Sequence, residues 1–152
     1  VSSYNVVGSE LLWVDGPISL QSEAMVTMCD FQGQSCALPG VYAQAGWFLT
    51  GEHRPYDRKQ GTIDRVIPKE NFGYNAAGGS GAWEVATRFS WLDLSDHDIK
   101  GGQLTDWTAG VNWYWNDRTR LMLDWIHPVT TKDGLYGDVT ADLLALRFDF
   151  NW

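Results

Sequence analysis

At 152 residues the chain is the size of one ordinary domain, and 19 acidic against 11 basic side chains leave a formal net charge of -8. Hydrophobic residues make up 44% and charged residues 20%, which is not the composition of a disordered chain. The acidic balance argues against a general nucleic-acid binder, which needs clustered Lys and Arg, and the apolar runs are far shorter than the roughly 18–20 residues of a membrane-spanning helix. Nothing at the start reads as a signal peptide. The chain opens at Val1 rather than Met, so the expectation is a processed product or a piece of something longer.

The predicted elements are strands. Nine Trp, 6 Tyr, 6 Phe and 16 Gly suit a β protein with many turns, and period-2 alternation recurs in segments of about ten residues bounded by Gly, Asp, Asn and Pro. In chain order these are Tyr4 to Val14, the turn Asp15-Gly16-Pro17, Ile18 to Met28, and Val41 to Thr50. The connection 29–40 holds the only two cysteines, Cys29 and Cys36, whose spacing is not that of a zinc site. They are either two thiols or, in an oxidising compartment, a small disulfide-closed loop.

A long connection, 51–80, precedes the clearest alternation. In Gly81 to Leu94, Trp83, Val85, Thr87, Phe89 and Trp91 face one way, against Ala82, Glu84, Ala86, Arg88 and Ser90. In Thr105 to Trp115, Trp107, Ala109, Val111, Trp113 and Trp115 oppose Asp106, Thr108, Gly110, Asn112 and Tyr114. After the turn Asn116-Asp117-Arg118, Leu121, Leu123 and Trp125 alternate with Arg120, Met122 and Asp124. The last strand sets Leu144, Leu146, Phe148, Phe150 and Trp152 against Ala145, Arg147, Asp149 and Asn151. Seven strands are thus predicted, with short turns on one side and longer loops on the other, near 29–40, 95–104 and 129–139. The 51–80 segment is an exception on the short-turn side.

Two environments produce such alternation. A soluble β-sandwich buries its apolar face and shows water many Lys and Glu, and with surface Trp it would be a carbohydrate-binding module. A transmembrane β-barrel turns the apolar face to lipid and places aromatics at the strand ends, because an indole offers an apolar ring and one N–H to the lipid–water boundary. Here the polar face is small and mixed, and Trp83, Trp91, Trp107, Trp113, Trp115, Trp125 and Trp152 lie toward strand ends, which favours the barrel.

The ending Leu144-Ala145-Leu146-Arg147-Phe148-Asp149-Phe150-Asn151-Trp152 resembles the terminal strand by which the assembly machinery recognises outer-membrane proteins, with Leu146, Phe148, Phe150 and Trp152 as the signal. Gly46-Trp47-Phe48-Leu49-Thr50-Gly51-Glu52-His53-Arg54-Pro55-Tyr56-Asp57-Arg58, then Gly61, Arg65 and Pro68, Gly81-Ala82-Trp83-Glu84 and Gly110-Val111-Asn112-Trp113-Tyr114 are similar in order and spacing to the carboxy-terminal part of the phosphate-selective porin O and P family. That resemblance runs from about Leu11 to Trp152. It implies an all-β, antiparallel transmembrane barrel of sixteen strands, assembled as a homotrimer in the outer membrane of a Gram-negative bacterium, with this chain supplying about the last seven strands. Seven is odd, whereas a bacterial single-chain barrel closes on an even number, so a carboxy-terminal fragment is predicted. Pairing of Tyr4–Val14 with 140–152 into a small closed barrel is the alternative.

The 51–80 segment carries Arg54, Arg58, Lys59, Arg65 and Lys69 against Glu52, Asp57, Asp64 and Glu70, a local net of +1 in a chain of -8. Guanidinium groups present paired donors that match phosphate oxygens, so these five are candidate anion contacts. In the resembling family a connection at this position folds into the lumen; the bland reading is a solvated loop. Lumen-facing charges on the strands are Glu10, Glu23, Glu84, Arg88, Asp106, Arg120, Asp124, Arg147 and Asp149, with Arg88, Arg120 and Arg147 expected to pair with Glu84, Asp124 and Asp149. No cofactor, metal site or catalytic group is expected: His53, His97 and His127 lie apart and outside any metal or nucleophile motif. The expected partners are outer-membrane lipid, the assembly machinery and small anionic solutes.

Overall fold

Alternation gives each strand two chemically different faces, and a single sheet keeps all the apolar sides together. The computed structural model describes residues 3–31, 33–59, 61–73, 78–131 and 138–151. Its elements in chain order are β1 (Tyr4–Asp15), β2 (Ile18–Phe31), β3 (Gln34–Phe48), β4 (Tyr56–Asp57), β5 (Thr62–Ile63), β6 (Ala82–Asp96), β7 (Ile99–Tyr114), β8 (Thr119–Thr131), β9 (Val139–Thr140) and β10 (Leu143–Phe150). The seven long strands form one sheet in the order β1-β2-β3-β6-β7-β8-β10, every neighbouring pair antiparallel, with β9 added to β8 and a separate β4–β5 pair inside the long connection.

The seven predicted strands are present, but several run past their predicted ends. β2 and β3 stay in register up to Phe31 opposite Gln34, so most of the expected 29–40 loop is a paired hairpin. β6 and β7 likewise continue to Asp96 opposite Ile99, through a bulge between Asp93 and Ser95, and turn at His97, whose φ is 50°. Backbone pairing does not require alternation, so the ladder continues where the apolar–polar pattern stops; alternation reports the extent of the apolar face, not the strand end.

The sheet is not closed. Among the described residues β1 pairs only with β2 and β10 only with β8, so the small closed barrel does not form. Nor, among the described residues, is there a second sheet long enough to cover the apolar side, as a sandwich requires. Leu11, Trp47, Trp107, Leu123, Leu146 and Phe148 stand exposed on that side, Leu146 at 71%. The predicted assembly-signal residues Leu146, Phe148 and Phe150 lie on β10 and project to this face; Trp152 lies outside the described residues.

Two bands of aromatics cross the apolar face. Trp83 is opposite Trp113, their rings stacked at 4.8 Å, and Trp113 meets Trp115 at 5.3 Å. Toward the other end Phe89 meets Trp107 at 4.7 Å, with Trp91 and Trp125 nearby in the ladder. Trp83 and Trp91 are eight residues apart on β6, about 27 Å along an antiparallel strand.

The interior that does exist is small and lies on the polar side: Phe48, Val66, Ala82 and Tyr114. Val66 comes from the long connection, so that segment is packed against the polar face. The chain re-enters the sheet at Gly81 with φ 70°, where a Cβ would strike the Tyr114 carbonyl; only glycine makes that corner without strain.

Candidate functional site

Register sorts the charges of the polar face into rows. Glu10 is opposite Glu23, Glu23 opposite Tyr42, Tyr42 opposite Ser90, and Ser90 opposite Asp106. The next row toward the carboxy-terminal end of the sheet is Leu12, Gln21, Gln44, Arg88 and Thr108. The Gln44 amide donates to Gln21 at 2.7 Å and Gln21 donates to Glu10 at 2.7 Å, linking three strands across the two rows. Three of the six carboxylates on this face, Glu10, Glu23 and Asp106, therefore sit in one row, and Arg88, Arg120 and Arg147 lie below it together with Glu84, Asp124 and Asp149.

Arg54, Arg88, Arg120 and Arg147 line one cavity of about 370 Å³ with Gln21, Gln44, Asn112 and a single carboxylate, Asp124. It reaches from Leu12 on β1 to Arg147 on β10, so the polar face is concave and the long connection crosses it. The partners differ from those predicted. Glu84 is held by Arg54 and not by Arg88, while Arg88 lies 3.9 Å above the Tyr42 ring, a cation–π contact. Arg120 donates to Asp149 at 2.9 Å, a pair across neighbouring strands within the expected set. Charges two residues apart on one strand share a face, but a directly opposite residue is closer than one i+2 or i+4 along the same strand.

Glu84 is the centre of this surface. It is fully buried, accepts hydrogen bonds from Asn112 at 2.9 Å and Tyr114 at 3.0 Å, and pairs with Arg54. Gly46 makes room for it: a Cβ there would stand 2.6 Å from the Glu84 Oε1 and 3.0 Å from Ser19 Oγ. Asn112, Tyr114 and Gly46 were not legible as functional from alternation alone. A glycine facing a long acidic residue inside the polar face is the signal that points to them.

The five cations of the long connection are not brought to one place. Arg54 reaches the central cavity, and Arg58 shares a second hollow with Glu10, Gln21 and Arg54. Arg65 stands 3.8 Å from Asp117 in the 116–118 turn, a half-exposed pair of little energetic weight. The Lys59 amide donates to Asp57. Lys69 donates its amide to Glu52 at 3.1 Å, and Thr50 bridges Glu52 to the Trp83 amide. This latch fastens the segment beside the start of β6.

Burial alone would raise the Glu52 carboxyl, but the Thr50 hydroxyl, the Lys69 amide and the Lys69 charge outweigh it and hold it below its ordinary 4.5. A depressed folded value stabilises the latch above the unfolded value and loses that contribution as pH falls through the folded one. The thermal unfolding gap between the native protein and Glu52→Gln is therefore expected to be widest near neutral pH and to close as pH falls through the lowered value of the folded carboxyl. A gap that does not change with pH would show that the Glu52 charge does not hold the latch.

The family model described as phosphate-selective porin O and P matches residues 1–152. Porin O of Pseudomonas aeruginosa is 30% identical over 159 aligned positions, covering 96% of this chain and 35% of that protein. An uncharacterized protein of Caulobacter vibrioides is 36% identical over 86 residues, 57% of this chain and 16% of its own length. The chain thus spans about a third or less of the curated relatives it matches.

Proposed function

Because this chain belongs to the phosphate-selective porin O and P family, a family of channels rather than enzymes, we propose that it supplies wall strands of an outer-membrane β-barrel for passive diffusion of small solutes, anions such as phosphate among them. The observation that carries the reading is the opposition of two faces. One side of the sheet is exposed, apolar and banded by Trp, which suits lipid between two interfaces. The other is a concave surface lined by four guanidiniums, of which Arg54 and Arg120 are paired with Glu84 and Asp149.

In this reading β1 and β10 are wall strands whose open edges pair with further strands of the complete barrel, since unpaired N–H and C=O groups in lipid cost several kcal/mol each. The 51–80 segment lies in the lumen, and Arg54, Arg58, Arg88, Arg120 and Arg147 focus anions while Glu10, Glu23 and Asp106 form a separate belt nearer the other mouth. No bond is made or broken. The field of the wall decides which ion enters. Homotrimer assembly and delivery to the outer membrane of a Gram-negative bacterium through the β10 signal complete the proposal.

The test is planar-bilayer recording of the complete protein, after its outer-membrane fraction shows a band that shifts on boiling. Across a salt gradient the reversal potential is expected to take the sign of anion preference, and added phosphate is expected to reduce chloride current. A cation-preferring reversal potential, or a water-soluble species with no heat shift, would overturn it.

A further inference from the structure

Cys29 on β2 and Cys36 on β3 are partners in the ladder, at the end of the sheet away from β10's carboxy terminus. Residues directly opposite in an antiparallel pair have Cα atoms about 4.5–5.5 Å apart, inside the range a disulfide spans. Their Sγ atoms stand 2.9 Å from each other, and both side chains are buried, at 8% and 5% exposure. Closing that gap to a bond needs a side-chain adjustment of less than about one ångström and no backbone movement.

The hairpin around them is held on both flanks. Asp30 accepts from Ser3 at 2.8 Å and from Ser35 at 2.9 Å, joining β1, β2 and β3. On the other side the Ala37 amide donates to Asp96 at 2.7 Å, although the β3–β6 ladder itself begins only at Gly40 opposite Leu92. Between Gly40 and the tip, β3 therefore has side-chain rather than ladder support from β6, and a covalent tie between β2 and β3 would brace that stretch. A hollow of about 360 Å³ opens over the two sulfurs, lined by Asn5, Asp30 and Asp96, giving a second thiol reagent access.

We propose that Cys29 and Cys36 are a disulfide in the mature protein, a covalent staple across the β2–β3 hairpin. Each thiol loses its hydrogen. The Cys29 and Cys36 sulfurs form one S–S bond, and the two protons and two electrons they give up convert the disulfide of a thiol–disulfide oxidoreductase to its dithiol through a mixed-disulfide intermediate. The staple rests on the porin reading for its oxidising compartment, since such a protein crosses the periplasm on its way to the membrane.

The test is alkylation with iodoacetamide of the denatured protein, taken from outer membranes with thiols trapped at lysis and followed by mass spectrometry. The expected result is no label before reduction and two labels after it, with Cys29→Ser taking up one label at Cys36 without reductant. Label on either cysteine of the native sequence before reduction overturns the staple. Fractionation of the same cells separates the two readings: outer-membrane protein with free thiols removes the disulfide alone, whereas protein in the cytoplasm removes the porin reading. Refolding in detergent against a glutathione couple then decides the disulfide independently of compartment, through the same count of labels.

Discussion

Replacing Arg54, Arg58 and Lys59 together by Gln is expected to lower the anion-to-cation permeability ratio of the complete channel by about tenfold or more. At about 8 Å from a permeating ion and an effective dielectric constant of about 40, one unit charge is worth about 1 kcal/mol, or about fivefold in partition of a monovalent ion. The three positions are unequal. Arg54 and Arg58 line the hollows of the polar face, while Lys59 lines neither, so Lys59→Gln alone is expected to change least. Arg54 also neutralises Glu84, and its loss exposes a carboxylate as well as removing a cation. The check is reversal potential in a salt gradient for the triple and each single variant, repeated at high salt, where screening shortens the reach of each charge to a few ångströms and the differences shrink. An unchanged ratio in the triple variant would leave the segment a loop without influence on permeation.

The sheet was legible because one apolar and one polar face impose a period of two on every strand. Trp83, Val85, Phe89 and Trp91 against Glu84, Ala86 and Arg88 could be assigned to faces from spacing alone, and the ladder places them on those faces. Strand ends were not legible. Residues such as Asp30, Ser35, Asp96 and Ile99 continue the ladders beyond the apolar band, where no apolar–polar alternation marks their facing. The connections thus looked longer than they are, and the difference between the two ends of the sheet resides partly in how far the strands extend.

The site was legible as a composition and not as a set of pairs. A cation-rich segment amid acidic surroundings singles out 51–80, and spacing puts the arginines of the strands on one face, as the ladder does. Which carboxylate each one meets depends on strand order and register, as when Arg120 takes Asp149 from β10 and Arg54 takes Glu84 from a distance of thirty residues. Neither register nor the direction in which a long connection folds can be read from local alternation. Val66, buried with Phe48 and Tyr114, shows how the connection is directed: an apolar residue inside a charged stretch finds a dry patch of the polar face.

The largest effect on the architecture is expected from Glu84→Ala. The carboxylate is fully buried and satisfies Arg54, Asn112 and Tyr114 at once, so its removal orphans three donors. Breaking one partner from a buried pair costs about 3–5 kcal/mol; the Arg54 side chain is 20% exposed, so water recovers part of that and the lower end, about 3 kcal/mol, is expected. Glu84→Gln separates charge from shape. It retains an oxygen for Tyr114 and Asn112 but turns an N–H₂ group toward the Arg54 guanidinium, so its cost is expected to be smaller, about 1–2 kcal/mol. The two variants also part in conductance. Glu84→Gln leaves the segment docked and uncovers the Arg54 charge, raising anion preference, the opposite of the Arg54 variant. Glu84→Ala frees the segment from the wall as well, and open-channel current is expected to become noisier as Arg54 samples several positions. Denaturant unfolding in detergent and single-channel recording check both. Wild-type stability in Glu84→Ala would mean that Arg54 finds another carboxylate, for which Asp124 in the same cavity is the nearest chemical equivalent.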